Sequence, residues 1–117
     1  MATDLRTGTD FPRRGRDTLG GYMWILRAFD KARAAADNTL HDYIYPCPMD
    51  KGVFQRWGIA VGDFDLAVRE HRTDEAILTW LEARVDAAHR QAANAWLSDD
   101  KSASLDRQDS EEGVVVA

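Results

Sequence analysis

The stretch Tyr22-Met23-Trp24-Ile25-Leu26-Arg27-Ala28-Phe29-Asp30-Lys31-Ala32-Arg33-Ala34-Ala35-Ala36-Asp37 decides the fold class. Its apolar positions Tyr22, Ile25, Leu26, Phe29, Ala32 and Ala36 recur at steps of three and four, which places them on one face of an α-helix ending near Asp37 or Asn38. The polar positions are spaced so that Arg27 meets Asp30, Asp30 meets Arg33 and Arg33 meets Asp37, which reads as a solvated lattice of charge. Arg27 and Lys31 fall on the same side as Trp24.

Downstream, Thr39-Leu40-His41-Asp42-Tyr43-Ile44-Tyr45-Pro46-Cys47-Pro48-Met49-Asp50 interrupts the helical pattern. Each proline lacks an amide hydrogen and pushes the residue before it to extended geometry, so Tyr45 and Cys47 sit on stiff, non-helical backbone. Asp50 reads as the N-cap of a short helix carrying Val53, Phe54 and Trp57, with Gly58 as its stop. A further helix is expected from about Gly62 to His71, with Phe64, Ala67 and Val68 inward and Asp63, Asp65, Arg69 and Glu70 outward. Thr73 caps the next, and Ile77, Trp80, Leu81, Val85 and Ala88 continue a stripe towards Ala92, Trp96 and Leu97. One long helix, or two with a break capped by Asp86, fits that pattern equally well.

Upstream, Gly8, Pro12, Gly15, Gly20 and Gly21 mark residues 1–21 as an irregular arm that Leu5, Phe11 and Leu19 would pin to the domain. Residues 99–117 carry six acids and two bases with few apolar residues before Val114, the composition of a disordered tail. The reading is therefore all-α: a single small bundle of four to five helices over residues 22–98, with an irregular N-terminal arm and a flexible acidic C-terminal tail. Its 117 residues suffice for one domain.

The net charge of −5 resides mostly in the tail, leaving the rest close to neutral. That offers no broad electrostatic footprint for nucleic acid. The short cluster Arg13, Arg14 and Arg16 reads as solvated or salt-bridged to the domain. A single cysteine cannot form an internal disulfide, no apolar run reaches the roughly 20 residues of a membrane span, and the first residues lack the pattern of a secretion signal. A soluble, cytoplasmic protein is expected.

The run Leu19-Gly20-Gly21-Tyr22, Arg27, Asp30-Lys31-Ala32-Arg33, Leu40, Tyr43, Tyr45, Cys47-Pro48 and Asp50 resembles an uncharacterised bacterial family catalogued only as a domain of unknown function. The resemblance continues through Gly58-Ile59 and Thr73-Asp74-Glu75 to the region of Trp96, covering about residues 4–98. It implies a small all-helical domain whose motif residues concentrate at the first helix and the Tyr-Cys-Pro segment. Pro46 departs from the family pattern, and the acidic tail lies outside it.

The chemistry-bearing residues point to a small-molecule pocket between the first helix and the Tyr43–Asp50 segment. Tyr22 and Trp57 would supply aromatic walls, and Arg27, Lys31 and Arg33 the groups that orient a ligand. An enzyme is the second reading, with Cys47 near a helix N-terminus as nucleophile, or Tyr43 and Tyr45 with Asp30 as acid and base. A third is an interaction module presenting Trp24, Trp80 or Trp96. His41, Asp42, Cys47 and Asp50 have metal-ligand chemistry but no zinc spacing, and Gly20-Gly21 follows no nucleotide-loop pattern, so neither metal nor cofactor is expected. The oligomeric state is left open.

Overall fold

The computed structural model describes residues 11–41 and 43–112. Leu5, Asp42 and Gly113–Ala117 lie outside them. Among the described residues the chain forms six α-helices: α1 Ile25–Ala36, α2 Pro48–Trp57, α3 Val61–Glu70, α4 Asp74–Glu82, α5 Ala87–Ala95 and α6 Ser102–Glu111. A π-helical turn, Trp96–Asp100, joins α5 to α6.

The arm holds a feature the sequence reading missed. Thr18–Leu19 (β1) and Tyr22–Met23 (β2) pair antiparallel, with Leu19 opposite Tyr22. Gly20 and Gly21 make the two-residue turn, at φ 59° and 82°, where both central residues of a tight hairpin need positive φ. Tyr22 thus belongs to the hairpin, and α1 starts three residues later, after Trp24 in a left-handed conformation. The Trp24 amide donates to the Gly15 carbonyl at 2.8 Å, which ties the arm to the helix start. Leu19 packs against the core and Phe11 is half-buried.

Helix ends follow local chemistry. The Thr73 hydroxyl accepts from the Ala76 amide at 3.1 Å, and the Asp86 carboxylate accepts from the His89 amide at 2.8 Å. The open question after Thr73 thereby resolves into two helices, α4 and α5, with the break capped by Asp86.

α1 packs against α3, α4 and β1, while α2 packs on α5. The core between them is aromatic: Tyr22 meets Trp57 edge-on at 6.2 Å, Phe54 stands 5.6 Å from Trp57, and Phe64 5.0 Å from Phe54. The Tyr22 hydroxyl donates to the Val85 carbonyl at 3.0 Å. Trp24 is fully buried, and Trp80 and Trp96 pack against the core, so Trp24 forms no exposed interface.

The tail differs most from its composition. Residues 102–111 are helical, and Leu105 and Asp109 are buried. Arg14 clasps Asp109 through Nε and Nη2 at 3.1 and 2.8 Å, and Arg16 reaches both Asp109 and Asp106. Asp106, Asp109 and Glu112, half of the acids in that run, are paired with arginines about ninety positions away, which no local window of sequence reveals. Residues 99–112 are therefore part of the domain, and the helices among the described residues number six rather than four to five.

Candidate functional site

Past α1 the chain turns back through Asn38 and His41, both at positive φ, and runs into the Tyr43–Asp50 segment, in which the Tyr45–Pro46 peptide bond is cis. Cys47, extended at φ −84° and ψ 172°, is the N-cap of α2, and Pro48 occupies its first position, where a missing amide hydrogen costs nothing. Asp50, expected as the cap, is instead the third helical residue of a reciprocal capping box. Its amide donates to Cys47 Sγ at 3.5 Å, and its Oδ2 accepts from the Cys47 amide at 2.9 Å.

That carboxylate is the hub of a buried polar cluster. Asp50 Oδ1 accepts from Trp24 Nε1 at 2.8 Å, and Oδ2 from Lys31 Nζ at 2.7 Å, with Asp50 wholly buried. Lys31 Nζ also donates to Cys47 Sγ at 3.4 Å. Taking two charges out of water is costly unless they pair and their remaining hydrogen-bonding capacity is satisfied, as it is here. Cys47 itself is half-buried, so an ammonium and the first amides of α2 stand beside a thiol that is not sealed in the core.

The other arginines of α1 are engaged differently. Arg27 is buried and grips Glu112 through both Nη atoms at 2.9 and 2.7 Å, and the Tyr43 hydroxyl donates to the same carboxylate at 3.2 Å. Burial, reinforced by the charge of Glu112, pushes the Tyr43 phenol up to about 12. Asp30 takes Arg33 at 2.7 Å, as the spacing predicts, and Arg13 at 2.9 Å. Arg13 continues to Asp74 at 2.7 Å, so one guanidinium bridges the arm, α1 and α4. The predicted lattice is thus mostly buried and partnered across the fold, and Arg27 pairs with Glu112 instead of Asp30.

A cleft opens on the other side of the segment. Ala32, Ala35 and Ala36 of α1 form one wall, Tyr45 and Pro46 a second, and Asp65 and Arg69 of α3 the third, enclosing about 180 Å³. The Tyr45 hydroxyl donates to Asp65 Oδ1 at 2.6 Å, and its ring stands edge-on to Phe54. Burial, with the Asp65 carboxylate adding, pushes the Tyr45 phenol well above the usual tyrosine range, so it remains a donor at neutral pH. Arg69 is exposed at the rim and makes no ion pair among the described residues.

The predicted site residues therefore separate. Lys31 and Cys47 come together; Tyr45 lines the cleft; Tyr43 and Arg27 share Glu112; Asp30 and Arg33 belong to the Arg13 bridge; Tyr22 and Trp57 face each other in the core. Tyr43, Tyr45 and Asp30 do not share a hydrogen bond, since each has its own partner. Among the described residues no three His, Cys, Asp or Glu side chains gather as a metal site. The sequence marks Asp65 and Arg69 only as outward positions of α3, four residues apart and so on one face of the helix.

The sequence matches the family model described as domain of unknown function (DUF5069) over residues 9–115. The chain belongs to the DUF5069 family. Because the match runs to residue 115, the DUF5069 domain takes in α6, in keeping with the burial of Leu105 and the Arg27–Glu112 pair. The comparison with curated proteins finds no match. Among the described residues of this DUF5069 chain no helix is long and apolar enough to cross a membrane.

Proposed function

We propose that this DUF5069 domain binds a small organic molecule in the cleft between α1, the Tyr43–Asp50 segment and α3. The observation that carries the reading is the cleft itself: an apolar floor of three alanines and Pro46 facing a fixed phenol, a carboxylate and a guanidinium. Ligand sites are typically concave and mostly apolar, with a few placed polar groups. The reading keeps the place expected from sequence and replaces most of the expected residues. Its setting is a reducing cytoplasm, consistent with a lone thiol. Nucleic acid is a poor partner for a chain of net charge −5 whose Arg13, Arg14 and Arg16 already face carboxylates. The test is a screen of small organic fragments by amide NMR against the full chain and Ala36→Phe, which fills the cleft from its exposed side. Saturable shifts at Ala32, Ala35, Tyr45 and Asp65 that vanish in the variant support the reading. Shifts confined to other faces, or equal in the variant, defeat it.

A second reading, small-metabolite chemistry at Cys47, is favoured by one observation, the 3.4 Å approach of Lys31 Nζ to Sγ. A nucleophile needs a neighbouring group that activates it. Alkylation of the folded chain by iodoacetamide at neutral pH should then outpace that of the urea-unfolded chain. Slower labelling in the folded state makes Cys47 a capping residue only.

A further inference from the structure

Two opposite charges one helical turn apart on α3, Asp65 and Arg69, line the same small cleft without pairing with each other. Residues at this spacing ordinarily meet on a helix surface. Here Asp65 Oδ1 is occupied by the Tyr45 hydroxyl at 2.6 Å, which ties the carboxylate to the Tyr45 wall. Asp65 Oδ2 has no hydrogen-bond donor among the described residues, and the Arg69 guanidinium likewise lacks an acceptor there. The remaining walls, Ala32, Ala35, Ala36 and Pro46, carry only methyl groups and a pyrrolidine ring.

We infer that the cleft takes a small zwitterion of the α-amino-acid class, its ammonium on Asp65 Oδ2, its carboxylate on Arg69 and its aliphatic side chain against the alanines and Pro46. The inference rests on the small-molecule reading above and adds the chemical class. A cation alone would leave the guanidinium beside it, and an anion alone would face the carboxylate; only a molecule bearing both charges complements both groups. Size agrees: a cavity of about 150 Å³ holds benzene, so about 180 Å³ admits a body of the size of valine. Tyr45 is a positioning residue, since it orients Asp65 through the phenol.

The experiment titrates the full chain, by amide NMR, with valine, with isobutylamine (valine without its carboxylate) and with 3-methylbutanoate (valine without its amine). Valine should shift Ala32, Ala35, Ala36 and Asp65 saturably, with both analogues weaker by roughly tenfold or more, the consequence of losing one charged hydrogen-bonding partner. Arg69→Gln, a change at an exposed position that leaves the fold intact, should weaken valine but tighten isobutylamine, whose ammonium no longer faces a guanidinium. Asp65→Asn should likewise weaken valine but tighten 3-methylbutanoate, with Tyr45→Phe separating loss of the carboxylate from loss of its orientation. If either analogue binds as tightly as valine, the zwitterion assignment fails while the cleft remains a binding site. If none of the three shifts the cleft but other fragments do so in the screen against Ala36→Phe, the class is wrong and the site stands. If nothing binds there at all, both fail.

Discussion

Lys31 Nζ and Asp50 Oδ2 meet at 2.7 Å with 4% and 0% of their side chains exposed, so the ion pair that joins α1 to the N-terminus of α2 lies inside the protein. The same carboxylate caps α2 and holds the Trp24 indole, which makes Asp50 the point where the start of α1, its middle and the start of α2 are tied together.

Removing the cation alone leaves a buried carboxylate uncompensated. Lys31→Met should cost about 3–5 kcal/mol, the range for breaking one side of a buried pair. That is a large share of the roughly 5–15 kcal/mol that stabilises an ordinary domain. Urea unfolding of both proteins measures it, and a loss below about 1 kcal/mol, the scale of a surface ion pair, would show that water reaches Asp50.

The C-terminal helix should behave as core. Leu105→Ala is expected to cost about 2–5 kcal/mol, as for other buried leucines, and deletion of residues 102–117 should lower the melting temperature further because it also strands Arg27. A truncated chain that melts with the full-length protein would return α6 to the status of a loose tail.

How much of this was legible follows from where each signal resides. The α1 stripe, the Thr73 and Asp86 caps and the Arg33–Asp30 pair depend on residues at most four apart, and a short window of sequence contains them. The lining of the cleft was not legible: of the residues expected to line a pocket beside the Tyr43–Asp50 segment, only Tyr45 borders it. Asp65 lines the cleft beside Tyr45, twenty positions earlier, and Arg27 leaves the surface and Arg14 finds its carboxylate only because Glu112 and Asp109 come back from the far end of the chain. The acidic tail misled for the same reason, since composition records charge and not its partner.

The tyrosines supply an alkaline test. Tyr22, Tyr43 and Tyr45 are all raised by burial, Tyr43 to about 12, against about 10 in the unfolded chain. A phenol with a raised folded pKa binds more protons folded than unfolded above pH 10, so its stabilisation is complete below that pH and is lost as pH climbs through the folded value. Absorbance at 295 nm should therefore stay flat through pH 10 and rise cooperatively with the loss of near-UV circular dichroism. Ionisation of even one tyrosine near pH 10 in the folded protein would contradict the hydrogen bonds assigned to them.

At the acid end the sign reverses. Arg14, with Arg16, holds the Asp109 carboxyl below the usual aspartate range, and Arg13 does the same for Asp74. A depressed folded pKa gives stability that is full above the unfolded value of about 3.9 and lost as pH falls through the folded one. Asp109→Asn should lower stability at neutral pH and flatten the decline below pH 4. An unchanged acid limb would mean that other carboxylates govern it.

Two glycines inside helices should respond to alanine with opposite signs. Alanine is favoured over glycine in a helix interior by about 0.5–1 kcal/mol, so the backbone alone would make both changes stabilising. At Gly62, in the first turn of α3, a Cβ would meet nothing within 4 Å, and Gly62→Ala should raise stability by about that amount. At Gly52 in α2 the Cβ would run into the Trp96 ring, which is held from moving aside by the Arg56 guanidinium stacked 4.0 Å from its centroid. Overpacking of this kind costs about 1–3 kcal/mol, which outweighs the propensity gain, so Gly52→Ala should destabilise. Measured in a Trp96→Leu background, the same change should turn neutral or stabilising, because the ring it strikes is gone. If Gly52→Ala destabilises equally in both backgrounds, the close approach of α2 to the π-helical turn is not what requires glycine there.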